Sequence, residues 1–190
     1  MKKYLDFNQI FALTKTHFFV SLVATLLGAV MIPFGTNGFF KTAFSVVMSV
    51  LYAVCIYSKA GDIAKNDKIF YKEDLPSYLK GLILPVGIWL VWIFLYVLFD
   101  ISWKYRIMSF STGIINNMLF VIWNYVFTGF LNPLNGHFDA FGVVMFFAVS
   151  LLASFGGYIA TRKNFDISTK VSKLIYEEET EEKELNGEEE

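Results

Sequence analysis

Four stretches of this chain are long, apolar and free of charged side chains, and they decide what it can fold into. They are residues 18–34, 42–58, 81–99 and 140–160. Hydrocarbon offers no hydrogen-bond partner, so a stretch buried in it must satisfy its own backbone, which a helix does. About 20 mostly apolar residues, with a range of about 17–25, bridge the core of a bilayer. Charges punctuate the stretches: Lys41 precedes the second, Lys80 and Asp100 bracket the third, and Asp139, Arg162 and Lys163 bracket the last. Only 17% of the 190 residues are charged, against about 25% in soluble domains, so composition argues against a water-soluble fold. The expected fold class is an all-α membrane protein, a polytopic bundle of four transmembrane helices.

A fifth apolar stretch, within residues 104–131, poses the main question of topology. Lys and Arg collect on the cytoplasmic side of membrane proteins. Of the sixteen here, residues 1–17 hold three, residues 59–80 five and residues 161–190 five; Lys41, Lys104 and Arg106 are the rest. If the stretch crosses, the two sides receive eight each. If it does not, thirteen fall on one side and three on the other, and both termini are cytoplasmic. The dispersed Asn116, Asn117, Asn124, Asn132 and Asn135 agree with the second case. So do Trp123 and Tyr125, expected at headgroup level. The stretch is therefore read as an outer interfacial or re-entrant helical segment, with an apolar stripe of Ile115, Met118, Leu119, Ile122 and Val126.

The remaining parts read as follows. Met1-Lys2-Lys3 could open a signal peptide, but the apolar run starts late and Leu27 is a poor residue before a cleavage site. Tyr4, Phe7, Ile10, Phe11 and Thr14 suggest an interfacial helix leading into the first span. Residues 59–80 form a polar connector, and Asp74 before Leu75-Pro76 suggests a helix start. Pro85, one turn into the third span, predicts a kink, which membrane helices tolerate. Ile167, Val171, Leu174 and Ile175 with Lys170 and Lys173 fit a short helix on an anionic membrane surface. The integral membrane domain thus covers residues 1–176. Residues 177–190, with nine Glu, form an acidic tail expected to be disordered.

The order of these features resembles a family of small, functionally uncharacterised membrane proteins of Gram-positive bacteria. The resemblance rests on Gly61-Asp62 after the second span, Lys80-Gly81 and Pro85 opening the third, and the closing "GGYIATRKNFDISTKVSKLIYEE", residues 156–178. It implies the four-span architecture and a bacterial cytoplasmic membrane, and carries no activity or cofactor.

Signatures of chemistry are missing from the sequence. His17 and His137 are expected at membrane boundaries on opposite sides, too far apart to share a metal. There is no His-Glu-x-x-His, no cysteine pair, no Walker loop and no dinucleotide fingerprint. Asp62, Asp67, Glu73 and Asp74 read as a solvated mixed-charge loop, and Cys55 as a small core residue. No catalytic, metal or cofactor-binding residue is assigned, and nothing points to nucleic acid. The spans so drawn lack the ionisable side chains that coupled carriers use.

What stands out is small residues at helical spacing: Ser45, Ser49 and Ala53 in the second span, and Ala153, Gly156, Gly157 and Ala160 in the last. Such residues let helices approach closely in lipid. They serve packing within the bundle or docking of another membrane protein; Phe147 on the last helix is expected to face lipid or a loose contact. The partners implied are the bilayer and, through these faces, another membrane protein. The expected function is a non-enzymatic accessory, regulatory or scaffold component, with a permease-like subunit of a multi-component transporter as the alternative.

Overall fold

The computed structural model describes residues 6–31, 38–71, 78–104, 112–131 and 140–163. In chain order these form α1 (Phe7–Met31), α2 (Gly38–Phe70), α3 (Lys80–Ile83), α4 (Val86–Lys104), α5 (Thr112–Trp123), a 3-10 turn (Tyr125–Phe127), α6 (Thr128–Leu131) and α7 (Ala140–Arg162). The described residues contain no strand. Four helical stretches among them are long and apolar enough to cross a membrane: Phe7–Val30, Phe39–Phe70, Lys80–Ile101 and Ala140–Arg162. The all-α bundle expected from the sequence is what the chain forms, but the helix bounds differ from the apolar runs.

The first helix has no separate interfacial part. Asp6 caps it by accepting the Asn8 N–H at 2.9 Å, and nothing between Phe7 and Met31 interrupts it. Lys15, which breaks the apolar run, stays exposed and lays its ammonium over the Phe11 ring. The second helix overshoots its apolar run by three turns. Residues 59–70 look polar by average composition, yet Ala60, Ile63, Ala64 and Asp67 fall on one helical face and are buried. The expected polar connector is therefore, in its first half, helix. Residues 72–77, with Glu73, Asp74 and the helix start expected there, lie outside the described residues, as do His137, the surface helix and the acidic tail.

The third span is broken where proline predicts. Pro85 has no N–H, so the carbonyl of Gly81 has no partner in its own helix. Ser154 of α7 donates its hydroxyl to that carbonyl at 2.9 Å. The chain then resumes as α4, with the Trp89 N–H bonded to the Pro85 carbonyl at 3.2 Å.

The disputed segment does not cross. Its longest helix, α5, has 12 residues and so reaches about 18 Å, short of a core about 30 Å thick. It runs antiparallel to α4: the Phe120 ring stacks on Phe99 at 4.9 Å, and one turn later Asn124 meets Trp92. The chain breaks at Asn124 and returns. Phe127 lies against Tyr52, the Gly129 N–H reaches the Ser45 hydroxyl at 2.8 Å, and Phe130 faces Phe141 at the start of α7. The segment thus enters and leaves at one end of the bundle. Trp123 is buried in the core rather than at its rim. The expected apolar stripe is only in part the packing face. Of its described side chains Met118 and Leu119 are exposed, Ile122 is half-buried and Val126 is buried; Phe120, Trp123 and Phe127, outside the stripe, are buried with Val126.

Close approach of α7 to α2 depends on glycine. At Gly157 an added Cβ would overlap the Tyr57 carbonyl, whereas at Gly156 it would meet only the edge of the Tyr57 ring, 3.7 Å away. Neighbouring positions should therefore respond differently to the same methyl group. Gly157→Ala should lower the thermal stability of the detergent-solubilised protein by about 1–3 kcal/mol, the usual range for overpacking. Gly156→Ala should be nearly neutral or slightly stabilising. Equal melting curves for the two variants would contradict the packing described.

Candidate functional site

Two buried polar clusters lie inside the bundle, one at an end and one at the re-entrant tip. The end cluster is built around Asp67 in the last turn of α2. Its carboxylate accepts four hydrogen bonds from three other elements. Gln9 of α1 donates to Oδ1 at 3.0 Å. The Lys80 ammonium of α3 reaches Oδ1 at 2.9 Å and Oδ2 at 2.8 Å. The Tyr158 hydroxyl of α7 donates to Oδ2 at 2.7 Å. Asp67 is fully buried and Lys80 is 6% exposed. A buried carboxylate is tolerated only when paired and saturated with donors, and this one is. Around it, Arg162 lies over the Tyr78 ring, 4.5 Å from its centre, and Lys68 donates to the carbonyl of Thr161.

The tip cluster follows from the break at Asn124. In a continuous helix the Trp123 carbonyl would accept the Phe127 N–H. Here that N–H goes to the Asn124 carbonyl at 2.8 Å, in the 3-10 turn. The freed Trp123 carbonyl is met by two donors on α1, His17 Nε2 and Ser21 Oγ, both at 3.1 Å. A carbonyl only accepts, so Nε2 carries the hydrogen and Nδ1 is left as an acceptor. The Tyr52 hydroxyl of α2 sits 3.1 Å from Nδ1 and donates to it. Asn124 is held on both sides: its Oδ1 accepts the Trp92 N–H at 2.8 Å and its Nδ2 donates to the Phe120 carbonyl at 2.9 Å. Phe146 and Trp123 enclose the imidazole, with ring centres 5.7 and 4.4 Å away.

These placements correct three expectations. His17 is fully buried in the core rather than at a membrane boundary. Asp67 belongs to a buried ion pair, not to a solvated loop; only Asp62 of that group is exposed among the described residues. Cys55 is exposed, not in the core. A fourth concerns Phe147, which packs against Trp89 and Trp92 instead of standing clear. Spans drawn to these bounds do contain ionisable groups, so the argument from their absence against a coupled path falls away.

Of the small residues picked out by spacing, Ser45, Ser49, Ala153 and Gly157 are buried, and Ala53, Gly156 and Ala160 are half-buried. They turn inward, and Gly157 packs on Tyr57. Ser45 holds α6 through the Gly129 N–H. The sequence did carry signals for the missed residues. Asp67 continues the face of Ala60, Ile63 and Ala64, and His17 shares one with Leu13, Ser21 and Ala24.

Among the described residues no group of three or more His, Cys, Asp or Glu is placed to hold a metal ion. Compared with family models, curated proteins and solved structures, the chain matches none.

The end cluster makes a quantitative prediction. Removing one partner of a buried pair leaves the other charge uncompensated, which typically costs about 3–5 kcal/mol, whereas replacing both with apolar residues is often close to neutral. Lys80→Met should strongly lower the melting temperature in detergent. The double variant Asp67→Asn/Lys80→Met, which leaves no charge yet keeps a carbonyl oxygen to accept from Tyr158 or Gln9, should recover much of that loss. A double variant less stable than Lys80→Met alone would contradict the pairing.

Proposed function

We propose that this chain is an integral protein of the bacterial cytoplasmic membrane, with both termini in the cytoplasm, that acts as a non-enzymatic accessory, regulatory or scaffold component. The observation that carries this reading is how Asp67 is used. Its carboxylate is consumed in tying α1, α2, α3 and α7 together at one end of the bundle. That arrangement builds a rigid framework rather than a cleft for turnover. Among the described residues, Lys15, Lys59, Lys65, Lys68, Lys80, Arg162 and Lys163 lie on the helix segments that lead to this end, which supports its cytoplasmic placement.

A second reading, the permease-like subunit of a multi-component transporter, is favoured by a different observation. Helices broken inside the bilayer, with freed backbone groups facing protein, recur in transporters. This chain has two such breaks, at Pro85 and at Asn124. Gentle solubilisation and identification of what copurifies separates the two. Recovery with an ATPase or a second permease chain supports the transporter subunit. Recovery with an unrelated membrane protein in fixed proportion supports the accessory role. Recovery of the isolated chain alone, in every detergent that keeps it folded, would contradict both.

Orientation is testable independently. Single cysteines introduced at Asn135 and at Glu188, in a Cys55→Ala background because Cys55 is exposed, should react with impermeant reagents from opposite sides. Asn135 should label from outside and Glu188 from the cytoplasm. Labelling of Asn135 from the cytoplasm and Glu188 from outside, the result of a fifth crossing, would contradict the orientation.

A further inference from the structure

The contact between α2 and α7 leaves a shallow groove along its outer margin. The two helices run in the same direction and in register: Tyr57 meets Gly156 and Gly157, and four residues on, Gly61 meets Thr161. Gly157 is buried in the contact, whereas Gly156, Ala160 and Tyr57 are half-buried at its margin. With no side chain at Gly156 and only a methyl group at Ala160, the floor of the groove is α7 backbone. The Tyr57 ring forms one wall. Further into the bilayer the flanks are Val54, three residues before Tyr57, and Leu152, four before Gly156, both exposed.

Two lysines stand at the mouth of this groove, at the Asp67 end of the bundle. Lys65 follows Gly61 by four residues and Lys163 follows Gly156 by seven, spacings that return to the same helical face. Counted from the matched Gly61–Thr161 level, at about 1.5 Å per residue, Lys65 lies about 6 Å further on and Lys163 about 3 Å. The two are therefore at nearly one depth. Other cations at this end are engaged: Lys80 with Asp67, Lys68 with the Thr161 carbonyl and Arg162 with the Tyr78 ring. Lys65 and Lys163 are exposed, and among the described residues neither is paired with a carboxylate, the exposed Asp62 included. The 23 residues of α7 extend about 34 Å, so its end reaches the headgroup layer of a core about 30 Å thick.

We propose that this groove binds an anionic phospholipid, with the phosphate between Lys65 and Lys163 and an acyl chain over Gly156 and Ala160. Charge complementarity selects the headgroup, since the ammonium of a zwitterionic lipid would stand against the lysines. The apolar flanks select a lipid over a soluble anion. The site belongs to this chain alone and holds for either reading of its protein partners.

Native mass spectrometry of the full chain, released from a neutral detergent and titrated with phosphatidylglycerol, tests the site. One phosphatidylglycerol per chain should be retained more tightly than phosphatidylethanolamine. Each lysine near a headgroup contributes about fivefold, so Lys65→Gln/Lys163→Gln should weaken retention about 30-fold. Lys15→Gln/Lys59→Gln, which removes the same charge away from the groove, should leave it unchanged. Should the groove double variant fail to fold, each single variant should still lose about fivefold. Equal retention of the two lipids would overturn the proposal. So would undiminished retention in the folded groove variants, or an equal loss in the control, either of which reduces the effect to general attraction. Adducts of inorganic phosphate abolished by the same variant would make this a soluble-anion site instead. Dimers that form in place of lipid adducts would give the groove to a second copy of the chain. Either result would also overturn the lipid assignment, and none of them bears on what copurifies with the chain.

Discussion

The backbone of this protein is broken twice inside the bundle, and each break is tolerated because a neighbouring helix supplies the missing hydrogen bond. In water a freed carbonyl costs little. Buried away from water without a partner it costs several kcal/mol. At Pro85 the freed carbonyl is that of Gly81, and Ser154 meets it. At Asn124 it is that of Trp123, and His17 and Ser21 meet it. The rest of the architecture follows from where those donors stand. Ser154 fixes α7 against the α3–α4 break, and His17 fixes α1 against the re-entrant tip. Tyr52, by donating to His17, brings in α2.

The same logic explains the buried charge. Asp67 is not an isolated carboxylate that the membrane happens to contain; its four hydrogen bonds are the counterpart, at the end of the bundle, of the carbonyl contacts at its centre. Charged residues at the margin of a span are inexpensive when they are exposed and snorkel, as Lys15 does. Turned inward, they demand complete pairing. The close helix contacts needed to bring donors and acceptors within about 3 Å come from small residues. Gly157 against Tyr57 is the clearest case.

Much of this was legible in the sequence, and the rest was hidden for physical reasons. Four apolar runs declared four helices, the charge asymmetry argued against a fifth crossing, and Pro85 announced its break. These signals are local or additive, so one chain shows them. Helix ends were harder. Residues 59–70 carry enough Lys, Asp and Asn to look like a loop, and only their periodicity, with Ala60, Ile63, Ala64 and Asp67 on one face, reveals a helix. The helical faces of His17 and Asp67 were legible in the same way, but the partners that satisfy them were not, because these stand far along the chain: Trp123 lies 106 residues from His17 and Tyr158 lies 91 from Asp67. The re-entrant tip misled in a similar way. Trp and Tyr prefer headgroups when they face lipid, and Trp123 faces protein instead.

Whether residues 112–131 turn back inside the bundle is the claim on which the whole arrangement rests, and one cross-link tests it directly. The Phe44 and Tyr125 rings lie 6.2 Å apart between centres, with Phe44 near the start of α2. Cysteines at both positions, in a Cys55→Ala background, should be joined efficiently in native membranes by a short bifunctional thiol reagent, which does not require the two sulfurs to meet directly. In a continuous fifth span running on from α4, Tyr125 would sit near the opposite face of the bilayer, beyond reach of Phe44. Absence of the Phe44–Tyr125 cross-link, with efficient coupling of Tyr125 to positions near Asp67 instead, would contradict the re-entrant fold.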